Sequence, residues 1–151
     1  MKNIIVILIL NLTLFSSCKQ KEEQVITNNT TEIPVEAVNE KLCFLSVTSR
    51  DSIILNVTRN ENNITGIFNI LPYEKDKKIS TFEGTITGNT ANVMGKYRAE
   101  GMEYEEELVF TIENNKASVK FGEMIEAENG VWKYRDIAKT SATILDKVNC
   151  K

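Results

Sequence analysis

The sequence contains no histidine, only two prolines and only three cysteines among its 151 residues. Each shortage excludes something. Without histidine, the commonest general base and the commonest metal ligand are both missing. With 18 basic residues against 21 acidic ones there is no dense basic surface, so a dedicated nucleic-acid binder is excluded. No glycine-rich phosphate loop, no nucleophile elbow and no Cys-x-x-Cys spacing occurs. A non-catalytic protein without cofactor or metal is the resulting expectation. The length suits a single folded domain.

The one long apolar run is N-terminal. Lys2 supplies a positive start, Ile4 to Leu10 an apolar stretch, and Leu12, Leu14 and Phe15 extend it. It falls short of the roughly 20 apolar residues of a permanent membrane helix and reads as a signal peptide over residues 1–17. Its end, Leu14-Phe15-Ser16-Ser17-Cys18, resembles a bacterial lipobox, with Phe15 standing where leucine is commonest. The resemblance implies acylation of Cys18, and its three chains would anchor the protein stably where one alone is marginal. The other reading is an ordinary secretory signal with Cys18 incidental. Loss of Lys2 with the leader takes the 18 basic residues to 17 against 21 acidic ones, a mature charge of −4. Residues 18–40 are polar, and too poor in apolar surface to offset the entropy of ordering, so they read as a disordered tether. Twenty such residues typically span about 25 Å. Lys21-Glu22-Glu23 resembles the short acidic export signal of Bacteroidetes surface lipoproteins. The expected place is therefore the bacterial envelope, on the outer membrane, at its periplasmic face or on the cell surface.

From residue 41 the pattern turns to period two. The clearest run sets Met102, Tyr104, Glu106, Leu108, Phe110 and Ile112 on one face against Glu103, Glu105, Glu107, Val109, Thr111 and Glu113 on the other. That is a half-buried antiparallel strand. Similar runs at 41–48, 52–59, 63–72, 79–87, 90–99, 116–126 and 130–135 are separated by turn signals such as Asn60-Glu61-Asn62-Asn63, Gly88-Asn89 and Glu100-Gly101. A last short strand falls near 143–150. Residues 41–151 are thus expected to form an all-β domain, a single small up-and-down antiparallel barrel of about eight strands, lipocalin-like in its meander.

Cys43 lies in the first strand and Cys150 at the end of the last. With Cys18 acylated they are the only thiols left, and an exported chain favours their pairing across neighbouring strands of a closed barrel. The alternative is a buried free Cys43 beside an exposed Cys150. Gly66, Gly84 and Gly95 sit next to Phe68, Phe82 and Tyr97 on the inner face, which either fits a tapering packed interior or leaves a cavity.

Leu71-Pro72-Tyr73-Glu74-Lys75-Asp76-Lys77, Phe82-Glu83-Gly84, Glu100-Gly101-Met102, Glu107-Leu108-Val109-Phe110 and Asp146-Lys147-Val148-Asn149-Cys150 together resemble a group of uncharacterised small Bacteroidetes lipoproteins. Ala99 stands where that group often has serine, and Glu106 is not preceded by its frequent arginine. The resemblance implies the fold and the location and brings no activity with it.

The functional expectation is an envelope-anchored, monomeric binding module for a small apolar ligand. The alternative is a protein-interaction or inhibitor-type module, acting for example on lysozyme or proteases, with the 71–79 loop as its protruding element. Candidate ligand-facing residues are Phe68, Phe82, Tyr97, Tyr104, Glu106 and Phe110. Glu106 is the one charge that the alternation turns inward, and either an unpaired carboxylate or one paired with Lys or Arg near the mouth would fit. Tyr73, Trp132 and Tyr134 are candidates for a recognition patch. Asp51-Ser52-Ile53 resembles an exported-protein O-glycosylation site at Ser52. Asn56-Val57-Thr58 and Asn63-Ile64-Thr65 fit the N-glycan pattern, which a bacterial lipobox argues against. Glu103, Glu105 and Glu107, about 7 Å apart, and Glu113 further along the same outer face read as a solvated, partner-repelling row.

Overall fold

A computed structural model describes residues 39–151. The leader, Cys18 and the tether up to residue 38 lie outside the described residues. Ten strands follow one another: β1 (Glu40–Thr48), β2 (Asp51–Asn60), β3 (Asn63–Leu71), β4 (Lys78–Thr87), β5 (Thr90–Ala99), β6 (Met102–Glu113), β7 (Lys116–Phe121), β8 (Met124–Glu126), β9 (Val131–Tyr134) and β10 (Ser141–Val148). Their lateral order runs β5-β4-β3-β2-β1-β10-β7-β6, and β6 pairs back onto β5. The result is a closed antiparallel barrel of eight strands.

The alternation explains the wall. In β2, Leu55 and Val57 are buried while Asn56 and Thr58, which alternate with them, are not. In β6, Leu108 and Phe110 are almost fully buried, whereas Glu103 and Glu105 face water. The tight turns need left-handed backbone, which Gly88 (φ 59°) supplies freely and Ser49, Glu61 and Asn114 supply at a local cost.

The interior is filled. Phe44, Leu55, Ile64, Phe82, Ile86, Leu108, Phe110, Val119 and Leu145 form one cluster at its centre. Phe82 and Phe110 meet edge to face with centroids 5.6 Å apart. The inner glycines make room for rings. A Cβ on Gly66 would stand 2.6 Å from Phe82 Cζ, and one on Gly95 would stand 2.6 Å from Tyr97 Cε2. At these two glycines the space left by the missing side chain is thus taken by a neighbouring aromatic, and a Cβ on Gly84 would stand 2.6 Å from Val93 Cγ1, so the packed alternative of the two holds.

Cys43 and Cys150 form a disulfide, with Cα atoms 5.3 Å apart, and it closes the barrel just beyond the Cys43↔Val148 pair of β1 and β10. The pairing of the first and last strands places it there.

One part of the strand assignment is corrected. The 116–126 run is not continuous, because β7 stops at Phe121 and β8 starts only at Met124. The 130–135 run is not a wall strand either. The place beside β7 belongs to β10, which pairs with it over six residues from Ser141↔Phe121 to Asp146↔Lys116. The chain bends at Gly122, where a Cβ would stand 2.8 Å from Thr140 Cγ2. β8 and β9 then form a small ribbon, and β9 runs parallel to β6 at Glu105↔Val131 and Glu106↔Trp132.

The barrel has two distinct ends. The base carries the turns 61–62, 88–89 and 114–115, the disulfide and the first residues of β1. The mouth carries the β1–β2 turn, the 72–77 loop, the β5–β6 turn and the ribbon.

Candidate functional site

The mouth collects the polar interior. Glu106 points inward as its parity with Leu108 and Phe110 requires, and Gly95 stands directly opposite it on β5. Its partner is Lys78, whose Nζ donates to Glu106 Oε1 at 2.7 Å and to Oε2 at 2.5 Å. The Lys78 ammonium also sits 4.2 Å from the centre of the Tyr97 ring and 5.7 Å from that of Tyr104. Those two rings are opposite one another on β5 and β6 and stack with centroids 5.8 Å apart. An ammonium is therefore held between a carboxylate and the faces of two aromatic rings, the arrangement that best replaces its lost water.

Lys78 was hidden in the sequence by the charged run Glu74 to Lys78, which reads as a loop. The signal was parity. Lys78 lies two residues before Ser80 and four before Phe82, both buried, so extending β4 by one residue turns it inward. Ser80 completes this layer: its hydroxyl donates to Phe68 O, and its N–H donates to Asn69 Oδ1 at 3.2 Å. No buried side-chain polar atom lacks a partner among the described residues.

The wall is split beside this pair. β6 and β7 pair only from Phe110↔Val119 to Glu113↔Lys116, and nearer the mouth β9 takes over the free edge of β6. Tyr134 fastens the split. Its hydroxyl donates to Lys120 O on β7 at 2.6 Å, and its N–H donates to Glu107 Oε2 on β6 at 3.1 Å. Burial, with the Glu106 and Glu107 carboxylates adding to it, pushes the Tyr134 hydroxyl up to about 12. Burial first, and Glu106 second, holds Tyr97 still further above the ordinary phenol range.

Glu107 thus departs from the solvated row expected of the outer face. It is half-buried and also accepts from Asn92 Nδ2 at 2.9 Å, because the ribbon lies over that part of β6. Glu103, Glu105 and Glu113 remain exposed, and Glu103 pairs with Arg98.

Behind the ribbon lies a pocket of about 220 Å³, lined by Phe68, Ile70, Phe121 and Met124 around Lys78, Glu106, Tyr97 and Tyr134. Outside it, between the β5–β6 turn and β9, a second hollow of about 470 Å³ borders the same Glu106 and also Tyr104. Of the candidate ligand-facing residues, Phe68, Tyr97 and Glu106 border the inner pocket and Tyr104 the outer one. Phe82 and Phe110 border neither and spend their faces on each other in the packed interior.

The three patch candidates have different surroundings. Trp132 is partly exposed at the lip of the outer hollow, and Tyr134 is fixed in the wall. Tyr73 packs against Arg50, whose guanidinium carbon is 4.4 Å from its ring centre, while the Tyr73 N–H donates to Asp51 Oδ1 at 2.8 Å. Ser52 is half-buried at the opening of β2, next to that bonded aspartate; Asn56 is half-buried within β2, and Asn63 is exposed at the opening of β3.

No family model, no curated protein and no solved structure matches the chain. Its chemistry is therefore read from its own residues.

Proposed function

We propose that the chain is an outer-membrane lipoprotein of a bacterial envelope, acylated at Cys18, whose barrel is a non-catalytic binding module. Its ligand is small and largely apolar, and it binds at the mouth rather than in the interior. One observation carries this reading: the barrel's polar and aromatic pocket lies at the end opposite to Glu40, where the preceding chain joins. The packed interior leaves no room for a ligand deeper in, and about 220 Å³ limits the occupant to a small molecule or the tip of a larger one. Apolar walls would take its body and the Lys78–Glu106 pair a polar end. Lys78 and Glu106 saturate each other, so neither is placed to move a substrate proton, which supports binding over catalysis. The disulfide supports an oxidising compartment, and the likeness to small Bacteroidetes lipoproteins supports the same address.

A protein-interaction or inhibitor-type module is the second reading. It is favoured by the exposed 73–77 loop, held at its base by Asp51 and Arg50. Two experiments decide. A tagged fatty acid should label the wild-type chain and not Cys18→Ser; persistent labelling of the variant removes the anchor. Native mass spectrometry of the full chain taken from its own envelope should release a small apolar molecule. Recovery of a stoichiometric protein instead establishes the second reading, and recovery of neither removes both.

A further inference from the structure

The outer hollow at the mouth has a composition that the inner pocket lacks. Its lining is Glu100, Met102, Glu103, Tyr104, Glu106 and Trp132, so half of it is carboxylate, half is aromatic or thioether, and none is basic. Glu106, the residue it shares with the inner pocket, already holds an ammonium from the other side, that of Lys78, which also lies 5.7 Å from the centre of the Tyr104 ring. Lys78 thus satisfies Glu106, and Arg98 pairs with Glu103, which leaves Glu100 as the carboxylate of the hollow to which the described residues bring no cation. Glu100 makes no ion pair among the described residues, and Met102 (62% exposed) and Trp132 (37% exposed) leave apolar surface open beside it. Aromatic faces and a polarizable thioether around a carboxylate favour an ammonium whose charge is spread over methyl or methylene groups. The unpaired Glu100 carboxylate disfavours an anion, and a neutral apolar molecule gains nothing from it.

We propose that this outer hollow binds a small organic ammonium ion, with Trp132 and Tyr104 facing its cationic head, Glu100 supplying the counter-charge and Met102 flanking its carbon skeleton. The inference rests on the mouth being the binding face and names the chemical class that this part of it takes.

Trp132 is the only tryptophan of the chain, so its fluorescence reports directly on the hollow. The full chain in a non-ionic detergent is titrated with choline, with its uncharged isostere 3,3-dimethylbutanol and with butyrate. Choline should change Trp132 emission saturably and bind at least about tenfold more tightly than the neutral isostere, while butyrate gives no response. Met102→Lys places a rival ammonium in the hollow from an exposed position and should weaken choline at least about tenfold with the β-sheet circular dichroism unchanged. Glu100→Gln should weaken it severalfold. Equal binding of choline and the neutral isostere overturns the cation assignment while leaving a small-ligand mouth intact. Choline binding that ignores both substitutions moves the site elsewhere and also overturns it. No saturable response up to about 10 mM choline does the same, and native mass spectrometry then shows separately whether the broader reading survives.

Discussion

The base and the mouth of this barrel are ends of the same eight strands, yet they are held together by different means. At the base, turn carbonyls accept main-chain N–H bonds from neighbouring strands: Ile86 to Asn62 O, Ile112 to Asn89 O and Lys147 to Asn115 O, each at 2.8 Å. A disulfide closes the same end, and the side chains above it, Ile64, Ile86 and Ala91, are apolar and buried. At the mouth, side chains do the fastening: Lys78 on Glu106, Tyr134 on Lys120 and Glu107, and Asp51 on the Tyr73 N–H. Main-chain seals tolerate many sequences, whereas side-chain fastenings can be lost or altered one residue at a time. Stability is concentrated at the first end and chemistry at the second.

The sharpest way to break that comparison is to open the base. Cys43→Ser with Cys150→Ser removes a link across a sequence separation of 107 residues. Chain-entropy reasoning then expects a loss of up to about 4.7 kcal/mol, seen as a lower urea midpoint. Below that midpoint the mouth should still fold, because its fastenings are independent of the link. A loss under about 1 kcal/mol would show that the main-chain seals alone hold the base.

The next effect is at the mouth. Glu106→Ala leaves the Lys78 ammonium without its carboxylate in a site where the two side chains are only 24% and 15% exposed. About 3 kcal/mol of destabilisation is expected, the lower part of the range for a buried pair because water still reaches it. Replacing both at once, Lys78→Met with Glu106→Leu, should restore most of that loss. If the double variant is as unstable as the single one, the aromatic faces and not the carboxylate are holding Lys78.

The same contrast explains what could be read in advance. Base and wall were legible because their signal is local: alternation in β2 to β6, turn residues between them, and two remaining cysteines at the first and last strands. The interior was legible only up to a choice, since glycines beside aromatics fit both a cavity and a packed core until the rings are placed. At the mouth the decisive contacts link residues 28 apart (Lys78 and Glu106), 27 apart (Tyr134 and Glu107) and 14 apart (Tyr134 and Lys120). No periodicity carries such pairings. The inward turn of Glu106 was legible from parity, but its partner lay concealed in a charged run. The break after Phe121 was marked only by Gly122, a single residue inside an otherwise continuous strand pattern.

Tyr134 gives a smaller effect with a pH signature. Tyr134→Phe loses the bond to Lys120 O and should cost about 1 kcal/mol, with faster amide exchange in β8 and β9. In the wild type the Tyr134 hydroxyl is pushed up from 10.0 to about 12, so the folded chain holds a proton that the unfolded chain releases between those values. Stability from this group is therefore complete below pH 10 and lost as pH rises towards 12. Tyr97, raised further, extends the loss to higher pH. Urea unfolding across this window should show a shallower fall in Tyr134→Phe. An unchanged slope would mean that the hydroxyl is already solvated and that the wall is not fastened there.

The smallest effects separate members of the outer glutamate row, which spacing alone makes equivalent. Glu105 is exposed and paired across the sheet with Lys96, whereas Glu107 is half-buried and accepts from the Tyr134 N–H and from Asn92. Glu105→Gln should change stability by no more than about 0.5 kcal/mol, since an exposed charge facing Lys96 across the strands contributes little and salt screens it. Glu107→Ala leaves the Tyr134 N–H without its acceptor in a place that the ribbon shields, so about 1 kcal/mol is expected, together with faster exchange at that amide. Salt discriminates further: raising it should erase whatever difference Glu105→Gln makes and leave that of Glu107→Ala almost intact, because burial limits screening. Equal and salt-sensitive effects at both positions would place Glu107 in solvent with its neighbours, and β9 would then be held to β6 by main-chain bonds alone.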